Sequence, residues 1–116
     1  MKGTKFTICA AVGGLVFAGT ALAGPTATSV TVTAGKPSEL RFTLSKKSVA
    51  AGAVTFKVTN KGKTTHDFKI AGKKSAVLRP GKTAVLAVRL KKGKAAYLCT
   101  LPGHAAAGMK GTITVK

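Results

Sequence analysis

Val54-Thr55-Phe56-Lys57-Val58 alternates apolar and polar residues one for one, between a glycine at Gly52 and the turn Asn60-Lys61-Gly62. Successive side chains of an extended chain point to opposite faces, so this pattern predicts a strand with one face buried and the other wet. The same period recurs on either side. Upstream, Val30-Thr31-Val32 leads through the Gly35-Lys36-Pro37 turn to Leu40-Arg41-Phe42-Thr43-Leu44, with Leu40, Phe42 and Leu44 on one face. Downstream, a strand is expected over His66-Asp67-Phe68-Lys69-Ile70, followed by a polar stretch around Gly72-Lys73-Lys74 and a turn at Arg79-Pro80-Gly81. Alternation resumes from Ala84 to Leu90, turns at Lys92-Gly93, continues from Ala95 to Cys99, and returns after a loop in Thr112-Ile113-Thr114-Val115. Helical periodicity is hard to find; Ala105-Ala106-Ala107 offers one helical turn at most. Short strands separated by turn signals predict an all-β fold, a Greek-key β-sandwich of about seven to eight strands.

The amino-terminal end reads differently. Lys2 and Lys5 precede an apolar run from Ile8 to Gly19, and Ala21-Leu22-Ala23 is a small-x-small cleavage site before Gly24. This is the pattern of a secretory signal peptide over 1–23, leaving 24–116 as one domain with a periplasmic or secreted address. The apolar stretch is shorter than the roughly 20 residues of a spanning helix. Cleavage removes Cys9 and leaves Cys99 as the one cysteine. A lone thiol in an oxidising compartment invites an occupant, and a metal ion would provide one.

Charge is extreme. Twenty basic side chains, less Lys2 and Lys5, stand against only Glu39 and Asp67, a net charge of +16 over 24–116. Such a field keeps copies apart, favouring a monomer, and attracts acidic proteins or an anionic membrane surface. Two carboxylates cannot furnish the acid–base pairs of a hydrolase, and no serine–histidine–carboxylate set or phosphate-cradling loop is present, so no enzyme is expected.

Chemistry concentrates near the carboxyl terminus, where Cys99, His104 and Met109 follow one another at five-residue intervals; His66 is the only other histidine. Thiolate, imidazole and thioether are soft or borderline donors that suit copper, and two His, one Cys and a weak axial Met make a blue-copper electron-transfer site. Taken singly, each residue has an ordinary alternative: Met109 as core filler, His66 and His104 as surface residues, Cys99 as a small buried hydrophobe.

His66-Asp67-Phe68, Tyr97-Leu98-Cys99-Thr100-Leu101-Pro102-Gly103-His104 and Gly108-Met109-Lys110-Gly111 together resemble the cupredoxin family of blue, type 1 copper proteins. The resemblance implies one copper ion cycling between Cu(II) and Cu(I), with His66, Cys99 and His104 as equatorial ligands and Met109 as the axial one. It also implies that Asp67 and Thr100 tie the two ligand-bearing segments together by hydrogen bonding; an Asp there adds negative charge and should lower the potential. His104 is then the ligand whose edge reaches the surface, among Leu101, Pro102, Ala105, Ala106, Ala107 and Gly108. Tyr97, Phe42, Phe56 and Phe68 are expected in the core.

The function this implies is one-electron transport between redox partners, with acidic proteins such as a cytochrome or an oxidoreductase docking near His104. Two alternatives from other classes stay open: a periplasmic protein that stores or delivers copper, and a metal-free cationic sandwich that binds polyanions. One Tyr and five Phe, mostly at core positions, leave little for base stacking, so no specific nucleic acid is expected.

Overall fold

A computed structural model describes residues 28–116; the expected signal peptide at 1–23, and Cys9 within it, lie outside the described residues. Nine strands form two sheets, and no helix occurs among the described residues. They are β1 (Thr28–Ala34), β2 (Phe42–Leu44), β3 (Ser48–Val49), β4 (Gly52–Asn60), β5 (Lys69–Ile70), β6 (Lys73–Lys74), β7 (Thr83–Leu90), β8 (Gly93–Leu98) and β9 (Lys110–Val115). One sheet has the order β2-β1-β4-β7 and the other β3-β9-β8-β5-β6. Strands that neighbour one another out of chain order are the mark of a Greek-key sandwich, so the expected fold class holds.

The alternation predicted from sequence is what each sheet buries. Val54, Phe56 and Val58 of β4 point inward, with Val30 and Val32 of the parallel neighbour β1 and Val88 and Leu90 of antiparallel β7. Ile70, Ile113, Val115 and Val49 face them from the other sheet. Phe68 lies between the sheets, wholly buried, its ring centroid 5.3 Å from Phe42, 5.2 Å from Phe56 and 5.4 Å from Tyr97. These separations suit the edge-on and tilted contacts that aromatic rings favour, and all four rings pack in the core as expected.

Two local expectations are corrected. His66 does not begin a strand: it forms an isolated bridge with Leu78, exchanging hydrogen bonds of 3.0 and 2.7 Å, and regular pairing starts only at Lys69. The strand count also exceeds seven to eight because β3 and β6, two residues each, are too short to show a period.

Strand ends define the end of the sandwich that matters. Ala34 of β1 pairs with Asn60 of β4, and Leu98 of β8 pairs with Lys110 of β9, so the segments 35–41, 61–68 and 99–109 emerge together. Asn60 organises them. Fully buried, it donates through Nδ2 to the carbonyls of Thr64 and Leu78, 2.8 Å each, and accepts from Gly62 N at 2.8 Å.

Candidate metal centre

Between β8 and β9 the chain makes one helical turn. Ala107 N donates to the Gly103 carbonyl at 3.1 Å, Met109 N to the His104 carbonyl at 3.0 Å, and Cys99 N to the Met109 carbonyl at 3.1 Å. The last bond closes the loop on itself, so Cys99 and Met109 sit side by side at its base, both fully buried with Ala34 and bordered by Leu40, Phe42 and Leu101. His66 arrives from the other segment, its side chain wholly buried.

The donors converge. His66 Nδ1 lies 3.3 Å from His104 Nδ1, Cys99 Sγ lies 3.5 Å from the same His104 Nδ1, and one donor atom from each of the three residues falls within 4.8 Å of the others. Metal–nitrogen bonds of about 2.0–2.1 Å and metal–thiolate bonds of about 2.3 Å place three coplanar donors about 3.5–3.8 Å apart. The observed spacings come close to that triangle, so these residues fit a single ion, with the Met109 thioether in the same buried pocket.

Asp67 and Thr100 do meet. The Thr100 backbone N donates to Asp67 Oδ1 at 2.6 Å and its hydroxyl donates to Asp67 Oδ2. The buried carboxylate thereby links the residue after His66 to the residue after Cys99 and holds the two donor segments in register.

Three residues went unassigned from sequence. Glu39, on the segment between β1 and β2, accepts from His66 Nε2 at 2.6 Å. Arg41, two residues on, donates from Nη1 to the Ala107 carbonyl at 3.0 Å and so reaches across to the ligand loop. Asn60 is the third, through the turn described above. Rarity was the one available clue: Glu39 and Asp67 are the only acidic side chains in the chain, and both stand against the donors.

The Lys63 backbone N–H first, and then the His66 ring, hold the Glu39 carboxyl down to about 2, against an ordinary 4.5. A carboxylate lowered in this way contributes stability above its ordinary range and loses it only as pH falls from about 4.5 towards 2. Cys99 moves the other way, because burial raises its thiol above the ordinary 9.0. Without a cation the sulfur therefore keeps its proton at neutral pH, and an ion must displace it. Copper binding is expected to release about one proton per ion from this group, and apparent affinity to fall roughly tenfold per pH unit as the solution is acidified from neutrality. Calorimetric titration in buffers of different ionisation enthalpy counts the proton.

Exposure is graded around the centre. His66, Asp67, Cys99 and Met109 are buried, whereas His104 is partly exposed, beside exposed Pro102, Ala106 and Ala107 and partly exposed Leu101 and Ala105.

A family model for copper binding proteins of the plastocyanin/azurin family matches residues 13–116. Among solved structures, auracyanin B superposes with a TM-score of 0.69 at 24% identity, covering 82% of this chain and 93% of that one. Auracyanin A, described as a "blue" copper protein from the green thermophilic photosynthetic bacterium Chloroflexus aurantiacus, gives 0.68 at 20% identity, covering 78% and 100%. Rusticyanin from Thiobacillus ferrooxidans gives 0.67 at 22% identity, covering 80% and 79%. At these identities the likeness is one of fold. No curated protein sequence matches.

Proposed function

The chain belongs to the plastocyanin/azurin family of copper-binding proteins, and on that premise we propose that it is an exported one-electron carrier holding a single type 1 copper ion. His66, Cys99 and His104 would hold the ion, with the Met109 thioether in the same buried pocket as a further weak donor; Asp67 and Thr100 hold the two ligand segments together. The ion supplies the Cu(II)/Cu(I) couple, and the chain supplies a geometry that does not have to change between the two states.

One observation carries the reading: His66, Cys99 and Met109 are buried, and His104 alone has exposed surface, within a small apolar face. A protein that stores or delivers copper needs an accessible, exchanging site. Here the ion would be enclosed while one ring edge remains open to an electron partner. Small dry contacts suit brief encounters, and the surrounding positive charge steers acidic partners such as a cytochrome or oxidoreductase. The same charge disfavours self-association, consistent with a monomer, and would hold the carrier near an anionic membrane surface. The pattern of residues 1–23 supports a periplasmic or secreted location. Catalysis on a substrate is not part of this reading.

Stopped-flow mixing of the copper-loaded protein with an acidic cytochrome provides the test. Reversible electron exchange is expected, with a second-order rate constant that falls as salt rises, and roughly tenfold slower exchange when Ala106→Glu places a carboxylate in the apolar face. Loss of copper to a chelator faster than electron exchange would overturn the carrier reading in favour of copper delivery.

A further inference from the structure

His66 has two ring nitrogens and only one can face the ion. Its Nδ1 points into the donor triangle, 3.3 Å from His104 Nδ1, and its Nε2 lies 2.6 Å from Glu39 Oε2. A carboxylate on the outer nitrogen keeps the proton there and leaves the inner nitrogen as a lone pair, ready to coordinate.

Glu39 is itself restrained. Lys63 N donates to Oε1 at 2.7 Å, while Thr64 N and Thr64 Oγ1 donate to Oε2 at 3.2 and 3.1 Å. Counting His66, four donors surround one carboxylate, so it cannot rotate away from the ring. The backbone is shaped to bring it there. A Cβ on Gly35 would stand 2.5 Å from Gly62 Cα, and a Cβ on Gly62 would overlap Glu39 Oε2 and stand 3.0 Å from His66 Nε2. Segment 35–41 therefore reaches the histidine only because both positions lack a side chain. The same segment also grips the far ligand loop through Arg41 and the Ala107 carbonyl.

We propose that Glu39 is a positioning residue of the metal centre, accepting the Nε2–H of His66 to present Nδ1 to copper and lending the ion a fixed negative charge, with Gly62 as the gap that admits it. This rests on the reading of His66 as a ligand. Two carboxylates beside the ion favour Cu(II) over Cu(I), so the chain's only acidic residues bias the couple towards the oxidised state.

Three variants of the full chain test it, each measured for copper affinity by chelator competition, for reduction potential and for EPR. Glu39→Gln keeps the shape and one acceptor oxygen and removes the charge; about 10–100-fold weaker Cu(II) binding and a raised potential are expected, beside a lower apoprotein melting temperature at neutral pH, because the amide cannot accept from donors on both sides. Gly62→Ala keeps every charge and pushes the carboxylate off the ring; it should weaken Cu(II) binding to a similar degree and alter the copper hyperfine splitting. In the apoprotein above pH 8, long-range proton–nitrogen NMR should find the His66 proton on Nε2, with the tautomers mixed in Gly62→Ala. Affinity, potential and tautomer all unchanged in both variants would overturn the proposal and leave Glu39 a mere loop brace. His66→Ala separates the two levels. If it abolishes the blue centre while the Glu39 and Gly62 variants are silent, only the positioning role fails. If it leaves the centre intact, His66 is no ligand and the proposal falls with that reading.

Discussion

Cys99→Ser is expected to abolish the intense visible absorption of the copper-loaded protein, with no detectable residue of the band. The colour of a type 1 centre comes from charge transfer between a thiolate and Cu(II), and a hydroxyl offers no comparable donor. Geometry makes the substitution clean. Serine is nearly the same size as cysteine, and the backbone bond from residue 99 to the Met109 carbonyl remains available, so the loop should keep its form. Its hydroxyl enters a pocket walled by Ala34, Met109, Leu40, Phe42 and Leu101 on one side and by the His104 ring on the other, at a cost of about 1 kcal/mol to the apoprotein. Whatever Cu(II) the two histidines retain should be pale, with a wide hyperfine splitting. Visible and EPR spectra after one equivalent of Cu(II), taken beside the parent protein, decide the matter. A pale parent protein, or a blue variant, would remove Cys99 from the centre and make the metal-free polyanion binder the leading reading.

Phe68→Ala is expected to have the largest effect on stability. The side chain is fully buried and its ring touches those of Phe42, Phe56 and Tyr97, so truncation opens a cavity between the sheets that no neighbour is free to fill. Such changes cost about 3–5 kcal/mol. A domain of this length has about 5–13 kcal/mol in all. Much of the apoprotein's margin would go, and copper binding would weaken as well, because Phe68 follows His66 and Asp67 directly and anchors the segment that carries them. Urea denaturation of the apoprotein should show a sharply lower midpoint with an unchanged slope. Val85→Ala is the control: that side chain is 65% exposed on β7, and its loss should move the midpoint hardly at all. Comparable effects at both positions would mean that the aromatic cluster is not the keystone its contacts suggest.

The strands that could be read from sequence are those long enough to display a period. β4 and β7 repeat it over nine and eight residues, and the β1, β8 and β9 patterns needed only their turn signals. β3 and β6 hold two residues each, and their pairing depends on what lies beside them. Phe68 and Ile70 alternate with polar neighbours, a period that by itself predicts a strand from His66 onward. The chain there is instead held through backbone bonds to Leu78 and by the Asn60 side chain, neither of which leaves a mark on periodicity. The donor residues were legible because their chemistry is scarce in this chain. Glu39 is just as scarce, but it lies 27 positions from His66 and acts through a turn whose conformation depends on Gly35 and Gly62. Arg41 was hidden by abundance, one cation among twenty.

The end of the sandwich that gathers the donors draws them from widely separated parts of the chain. Glu39 meets His66, Asp67 meets Thr100 across 33 positions, and Arg41 meets Ala107 across 66. Contacts so distant in sequence form late, because the entropy of closing each loop must be met before any of them helps. A half-folded chain, even one with the antiparallel β4–β7 pair complete, therefore has no assembled chelate. It follows that colour should appear only with the last, cooperative step of folding, and that bleaching of the blue band in denaturant should coincide with the loss of far-ultraviolet circular dichroism. In this protein the pigment would double as a built-in reporter of whether the whole sandwich has closed.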